Sequence, residues 1–307
     1  MQAIFDSIST QLDLSQGEVR RLFHGRGHCF PGYEQLIIDL LPPLVIIRLF
    51  EEHPVELLEQ LDQFFQQLDD AVKPDALVVQ HRYRREDSVE LRWNNGTVDP
   101  EQLLQVTELG LKYNVRPLKN QNSGLFLDMR EGRRWVRQNS EGKNILNLFA
   151  YTCAFSVAAI AGGASRVINL DMSRGALSTG RDNHRINQLP TDQVKFLGHD
   201  LFRSWGRLKR EGPYDLVIVD PPSFQRGSFV ASDDYRKVLR RLPELTMAGG
   251  QVLLCLNSPA LGSDFLLQLV DDCCPELRYC ERITHPADFP DRDPEQALKV
   301  LLFQKTG

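Results

Sequence analysis

The sequence predicts an α/β protein, with an open, mostly parallel sheet in a larger C-terminal domain and a smaller α/β domain before it. Three observations carry this. The apolar run Tyr214-Asp215-Leu216-Val217-Ile218-Val219 stops abruptly at Asp220-Pro221-Pro222-Ser223-Phe224. β-Branched residues closed by an acid and two prolines read as a buried parallel strand whose C-terminal edge becomes a stiff loop, because proline has no N–H for a sheet ladder. Upstream, a strand, a small-residue loop, a helix, a second strand and an acid follow one another between Asn144 and Asp171, the order of a nucleoside-binding βαβ unit. Strand-like and helix-like stretches also alternate through the first 117 residues.

In the N-terminal part, Ile4 through Leu14 is amphipathic, and Ser15-Gln16-Gly17-Glu18-Val19-Arg20-Arg21-Leu22 has the serine and glutamate spacing of a capped helix. Leu36 to Leu40 and Leu44 to Phe50 flank Pro42-Pro43 like paired strands. From Glu56 to Leu68, Leu57, Leu58, Leu61, Phe64, Phe65 and Leu68 fall at helical spacing, a core-facing stripe rather than a binding one. Ala76 to Gln80 and Val89 to Trp93 read as strands, with Asn95-Gly96 a turn. Leu103 to Leu109 and Lys112 to Arg116 form a strand pair that leads into the second domain. Residues 1–117 are thus expected to be an N-terminal α/β domain with a role in substrate recognition, and residues 118–307 the catalytic domain.

In the second part, Asn144 to Leu148 runs as a strand into Phe149-Ala150-Tyr151-Thr152, and Phe155 to Ala161 is a small-residue helix. Gly162-Gly163-Ala164 turns the chain into the strand Arg166 to Leu170, which ends at Asp171. That acid lies about twenty residues past the loop, where a carboxylate meets ribose hydroxyls. The same spacing suits NAD, but Tyr151-Thr152-Cys153-Ala154-Phe155 contains no glycine, and a pyrophosphate needs close backbone approach. A cofactor without phosphates is favoured, and S-adenosylmethionine (SAM) fits. Val194 to Asp200 is a third strand with a polar end, which places Asp200 to meet an adenine amino group. A lone strand-end aspartate is more often a cap. Here Asn147/Tyr151, Asp171, Asp200 and Asp220 form a series on consecutive strand ends, which in a parallel sheet converge on one rim.

These residues carry a resemblance. Gly124-Leu125-Phe126-Leu127-Asp128-Met129-Arg130, Leu146 through Thr152, Gly162-Gly163-Ala164, Asp171-Met172-Ser173 and Asp220 through Phe224 resemble, in order, motifs of the class I SAM-dependent methyltransferases of the 23S ribosomal RNA large-subunit type, the I and K/L family. These are bacterial enzymes making 5-methylcytosine or 7-methylguanine. The likeness covers about residues 118–307, and Arg21 through Gly32 is more weakly similar to the domain that precedes it in the family. The resemblance is to relatives without the short N-terminal PUA-type RNA-binding domain, and none is expected in this sequence. The resemblance implies a Rossmann-like seven-stranded sheet with an antiparallel edge around 281–284 and 298–303, and an RNA substrate. It also implies that Tyr151, Thr152 and Phe155 line the methionine and sulfonium, that Asp171 holds the ribose and Asp200 the adenine, and that Asp128 and Arg130 lie near the amino-acid end. Asn147, Phe149, Met172, Ser173 and Asp220 complete the cofactor set, while Asp220, Pro221, Pro222 and Phe224 form the catalytic group.

Two departures from the family bear on chemistry. Cys153-Ala154 follows Thr152 where the family has glycine, so a larger side chain approaches the methionine end of the cofactor. Cytosine C5 methylation also needs a cysteine thiolate to add to C6 of the base. In the cytosine-modifying relatives that cysteine follows the strand matching Gly250 through Leu256, and Asn257-Ser258 occupies its place here. Cys255, two residues earlier, reads as an inert core thiol. A nitrogen target needs no covalent step: Asp220 and the Pro221-Pro222 carbonyls orient it, Phe224 stacks on the base and Asn257 adds a hydrogen bond at the far wall.

The composition is that of an ordinary globular chain: 307 residues, 42% hydrophobic and 25% charged. No apolar run approaches membrane-spanning length, and Met1-Gln2-Ala3-Ile4-Phe5-Asp6 lacks the basic start of a signal peptide, so the expected compartment is the cytoplasm. Six cysteines without paired CxxC spacing predict reduced thiols and no metal site. The net charge of −5 argues mildly against a strong nonspecific grip on nucleic acid, although basic residues cluster at 20–26, 82–85, 130–137, 203–210 and 236–241. A small-molecule or protein methyltransferase and a noncatalytic SAM- or RNA-binding module are the alternatives.

Overall fold

The computed structural model describes residues 1–96, 98–99, 102–118, 123–222, 224–225 and 229–306, with backbone alone at 224–225 and 229–233. The chain divides into two compact units, Met1–Leu127 with Pro286–Arg292, and Asp128–His285 with Asp293–Gly307.

In the first unit, α1 (Gln2–Ser15) and α2 (Val55–Gln66) belong to one apolar core with β1 (Arg20–His24), β2 (Leu36–Leu41), β3 (Leu44–Leu49) and β4 (Ala76–His81), through Ile4, Ile8, Leu22, Leu36, Ile47, Leu61, Phe65 and Leu77. With β5 (Val89–Asn94) these strands form a sheet in sequence order. The helix expected from Ser15 to Leu22 is instead the end of α1, a turn and β1. Gln16 and Gly17 take left-handed backbone (φ 49° and 79°), the Ser15 hydroxyl donates back to the Leu12 carbonyl, and β1 pairs antiparallel with β2. Glu18 does not cap a helix. Its carboxylate accepts from the Leu109 and Gly110 amides, which turn the hairpin of β6 (Leu104–Glu108) and β7 (Leu111–Val115).

The second unit opens with α3 (Arg130–Gln138), followed by β8 (Asn144–Leu148), α4 (Ala154–Ala161), β9 (Arg166–Asp171), α5 (Arg174–Ile186), β10 (Val194–Gly198), α6 (Trp205–Glu211) and β11 (Tyr214–Val219). After a short ribbon of β12 (Phe224–Gln225) and β13 (Phe229–Val230) come α7 (Ala231–Leu239), α8 (Leu242–Leu245), β14 (Thr246–Leu256), α9 (Ser263–Cys273), β15 (Leu277–Arg282) and β16 (Lys299–Lys305). The seven-stranded sheet runs β10-β9-β8-β11-β14-β16-β15, parallel from β10 to β14, with β16 antiparallel to both neighbours. This is the expected α/β sheet with its antiparallel edge.

The pleat divides the core. Leu146, Leu148, Val217, Val219, Val252 and Leu254 pack with Tyr235, Val238, Leu266 and Leu269 of α7 and α9. Ile145, Leu216, Ile218, Leu253 and Cys255 pack on the other face with Val136, Phe155 and Ala159 of α3 and α4. A strand buried on both faces has no polar alternation, which is why Leu216 through Val219 is uninterrupted apolar sequence.

Candidate active site

Parallel register gathers the strand ends. Leu148 stands beside both Leu170 and Val219, Asp171 beside Gly198, and Val219 beside Leu254. The chain therefore leaves β8, β9, β10, β11 and β14 at one rim. Asp171 and Asp220 end strands on either side of β8, about 10 Å apart at ordinary strand spacing.

The loop after β8 has an unusual backbone. Phe149, Tyr151 and Cys153 are left-handed, at φ 59°, 47° and 60°. Non-glycine residues in that region cost on the order of 1 kcal/mol each, so neighbouring contacts must hold them. Asp171 Oδ2 accepts from the Tyr151 amide at 2.8 Å, the Ala150 amide donates to the Leu170 carbonyl at 3.0 Å, and the Cys153 amide to the Ala150 carbonyl at 2.7 Å. From α5, Asn183 Nδ2 donates to the Thr152 carbonyl at 3.0 Å. The Cys153 side chain is fully buried among Ala150, Leu177 and Phe196. Burial and the charge of Asp171 push its thiol pKa well above the usual value.

Asp171 Oδ1 accepts from the Ser173 amide at 2.7 Å, and the Ser173 hydroxyl caps α5 by accepting from the Ala176 amide. Each Asp171 oxygen thus takes one backbone N–H and keeps further acceptor capacity. Met172 beside it is exposed. Asp200 serves as a cap, its Oδ1 accepting from the Phe202 amide at 2.7 Å. Of the expected cofactor residues, Arg130, Asn147, Thr152 and Phe155 are buried. Asn147 is 1% exposed inside β8, its amide donating to Asn169 Oδ1 at 2.8 Å. Phe155 is 6% exposed and belongs to the core between α3 and the sheet.

The rim changes character at Asp220. Burial pushes its carboxyl pKa up to about 7; the negative charge of Asp128 adds to the rise, and Arg133 opposes it. Arg130 and Arg133 are both buried on the first turn of α3. Pro221 is buried and Pro222 half-buried. Ser223 and the Phe224 side chain lie outside the described residues. Cys255 shares the sheet face of Asp220 and is 1% exposed; burial first, then the charges of Asp220 and Asp128, drive its thiol pKa far up. The buried Tyr235 hydroxyl donates to the Cys255 carbonyl and lies 3.4 Å from that of Val219, joining the ends of β11 and β14. After Asn257, the Ser258 carbonyl accepts from the fully buried Lys299 ammonium at 2.6 Å.

Gly180, Asn183, His184, Arg133, Tyr235 and Lys299 support this site, yet the strand-end series did not select them. Lys299 had a signal, a lysine opening an apolar strand; Gly180, Asn183 and His184 had none, because nothing in the sequence marks their helix. Among the described residues no group of acids, histidines and cysteines is placed to hold a metal ion, and no helix is long and apolar enough to cross a membrane.

Known proteins resemble this chain in both sequence and fold. Ribosomal RNA large subunit methyltransferase I of Photobacterium profundum is 32% identical over 200 residues, 62% of this chain and 50% of its own length. The Escherichia coli O9:H4 protein of the same name is 26% identical over 283 residues, 88% of this chain and 69% of its own. The chain spans about half the length of relatives such as the first. Among solved structures, SMU.776 in complex with SAH superimposes with a TM-score of 0.85 at 24% identity, covering 99% of this chain and 81% of that one. The SAM-dependent methyltransferase from Agrobacterium tumefaciens gives 0.67 at 18% identity, covering 95% and 91%. These structural likenesses speak to fold. Residues 20–304 match the S-adenosylmethionine-dependent methyltransferase family, and the chain belongs to it.

Proposed function

We propose that this chain transfers the methyl group of SAM to a base of RNA, ribosomal RNA before other RNAs, and to a nitrogen rather than cytosine C5. The observation that supports this most is the single rim carrying Asp171 and Asp220, one carboxylate fixed by backbone amides and the other desolvated. The substrate class comes from relatives named for ribosomal RNA. SAM, when bound, supplies an electrophilic methyl on its sulfonium. Tyr151 and Thr152 face the methionine end, Asp171 takes the ribose hydroxyls, Asp200 the adenine amine, and Asp128 with Arg130 the amino-acid end.

Asp220 and the Pro221 carbonyl orient the target nitrogen. As the nitrogen–carbon bond forms and the sulfur–carbon bond breaks, an amine target releases a proton, and a carboxylate with a pKa near 7 is matched to accept it. The raised thiol pKa of Cys255 disfavours the thiolate that carbon methylation requires. The cytoplasm fits this work, as do reduced thiols. The net charge of −5 favours a small-molecule or protein acceptor as the second reading.

Mass-spectrometric nucleoside analysis of RNA from a strain lacking the gene, before and after incubation with the protein and SAM, tests the proposal. Restoration of an N-methylated nucleoside is expected. Restored 5-methylcytosine would overturn the nitrogen target, and an unchanged RNA profile the RNA substrate.

A further inference from the structure

We propose that Gly180 of α5 is a positioning residue for the cofactor loop, matched in volume to Cys153, and that the pair fixes the left-handed turn presenting Tyr151 and Thr152. The proposal rests on the reading of that loop as the methionine end of the SAM site. A Cβ built on Gly180 lies 2.4 Å from Cys153 Sγ, 2.8 Å from Cys153 Cβ and 3.1 Å from the Thr152 carbonyl oxygen. No side chain fits there without moving the loop. Cys153 has little freedom to yield: it is fully buried, left-handed at φ 60°, and occupies the N-cap position of α4.

Gly180 also lies well inside α5, a helix of 13 residues, where glycine is a poor helix former. The space Cys153 needs gives that glycine a purpose. The same face of α5, at the i, i+3, i+4 spacing of one helix surface, carries Asn183 and His184. Asn183 binds the Thr152 carbonyl. His184 Nδ1 lies 2.7 Å from the Gly180 carbonyl and its Nε2 3.0 Å from Ser156 Oγ. Burial depresses the His184 pKa and favours the neutral ring, so Nδ1–H donates to the carbonyl and Nε2 accepts from the Ser156 hydroxyl. Ser156 Oγ in turn accepts from Asn169 Nδ2, and Asn169 Oδ1 from Asn147 Nδ2. One helix face therefore grips the loop directly, and α4, β9 and β8 through a hydrogen-bond chain running in one direction.

Calorimetric titration of the full chain with S-adenosylhomocysteine, alongside thermal melts, tests the pair. Gly180→Ala is expected to weaken binding about tenfold or more, and adding Cys153→Gly, which removes the atoms the new methyl would meet, is expected to recover most of that loss, the non-additivity of residues in contact. A helix-breaking or merely space-filling role would not give this rescue, since alanine favours the helix. Wild-type affinity in Gly180→Ala overturns the proposal. Should Gly180→Ala not fold, the double variant decides: recovered folding and binding support the pair, and a double variant that binds weakly or stays unfolded overturns it. Asp171→Ala serves as the control on the underlying reading. If it loses binding while Gly180→Ala does not, the pair alone fails; if its affinity is unchanged, the cofactor-site reading fails and the pair with it.

Discussion

At the residue scale the proposed chemistry depends on Asp220, whose carboxyl pKa burial first, and then the charge of Asp128, raise to about 7. If the ionised form accepts the proton, the rate of methyl transfer should rise between about pH 6 and 8, following an apparent pKa near 7. A pH–rate profile flat across that interval would sink the assignment. The same shift predicts a cost in stability. Between the ordinary value of 3.8 and about 7 the folded chain keeps a proton that the unfolded chain releases, so this group's contribution is full below that window and is lost as pH rises through it. Asp220→Asn should therefore abolish transfer, bind S-adenosylhomocysteine nearly as wild type, and melt higher than wild type by a margin that grows from pH 4 to pH 8. Cys255→Ser should keep its activity, because the thiol has no step to perform. A folded but inactive Cys255→Ser, or a covalent adduct with 5-fluorocytosine RNA, would instead point to carbon methylation. Asp171→Ala removes the acceptor of two loop amides as well as of any ribose hydroxyls, and should weaken S-adenosylhomocysteine by on the order of 1.5 to 3 kcal/mol.

At the scale of elements, the ends of β14 and β16 are joined by a buried cation. Lys299 Nζ donates to the Ser258 carbonyl and, at 2.8 Å, to that of Glu295. Lys299→Met keeps much of the volume but strips those carbonyls of a charged donor. It should destabilise the fold by about 2 to 4 kcal/mol, measured by denaturant unfolding; an unchanged midpoint would show that water replaces the ammonium. The strand β11 was legible because burial on both faces leaves the continuous apolar run Leu216 to Val219, and β9 because Val167, Ile168 and Leu170 still outweigh the buried Asn169; an acid marks where each one ends. The rim was legible for the same reason, since parallel strands share the direction in which their ends point. Helix α5 was not: Arg174 to Ile186 carries only Ala176, Leu177 and Ile186 as apolar side chains, so its inner face, built from Gly180, Asn183 and His184, has no hydrophobic period. The Ser15 and Glu18 spacing misled because Glu18 is engaged some ninety residues away in sequence, by Leu109 and Gly110. The left-handed loop was hidden too, because Phe149, Tyr151 and Cys153 give no local sign of a positive φ.

At the scale of the whole molecule, the arginine clusters that suggest nucleic acid are in good part engaged within the protein. Arg21 closes on the buried Asp39, Arg134 on Glu131, Arg236 on Asp272, Lys237 on Asp234, and Lys209 and Arg241 on Glu244, while outside the clusters Arg48 also closes on Asp39 and Arg166 and Lys195 on Glu211. With 41 acidic residues against 36 basic ones, the chain's mean field repels a polyanion. Each phosphate neutralised on single-stranded RNA adds about 0.7 to the magnitude of the slope of log affinity against log salt, so a chain of net charge −5 is expected to give a shallow dependence. We expect a slope of magnitude below about 2, two or three phosphate contacts, for an unstructured RNA oligonucleotide titrated between 50 and 200 mM salt. On the proposed reading, discrimination is expected to come from a base at the Asp220 rim and from the folded shape of the RNA around it. A structured ribosomal RNA fragment should accordingly be methylated far better than an unstructured strand of the same composition. A slope of five or more would mean that the clusters grip the backbone after all, and that recognition begins with phosphate rather than with the base.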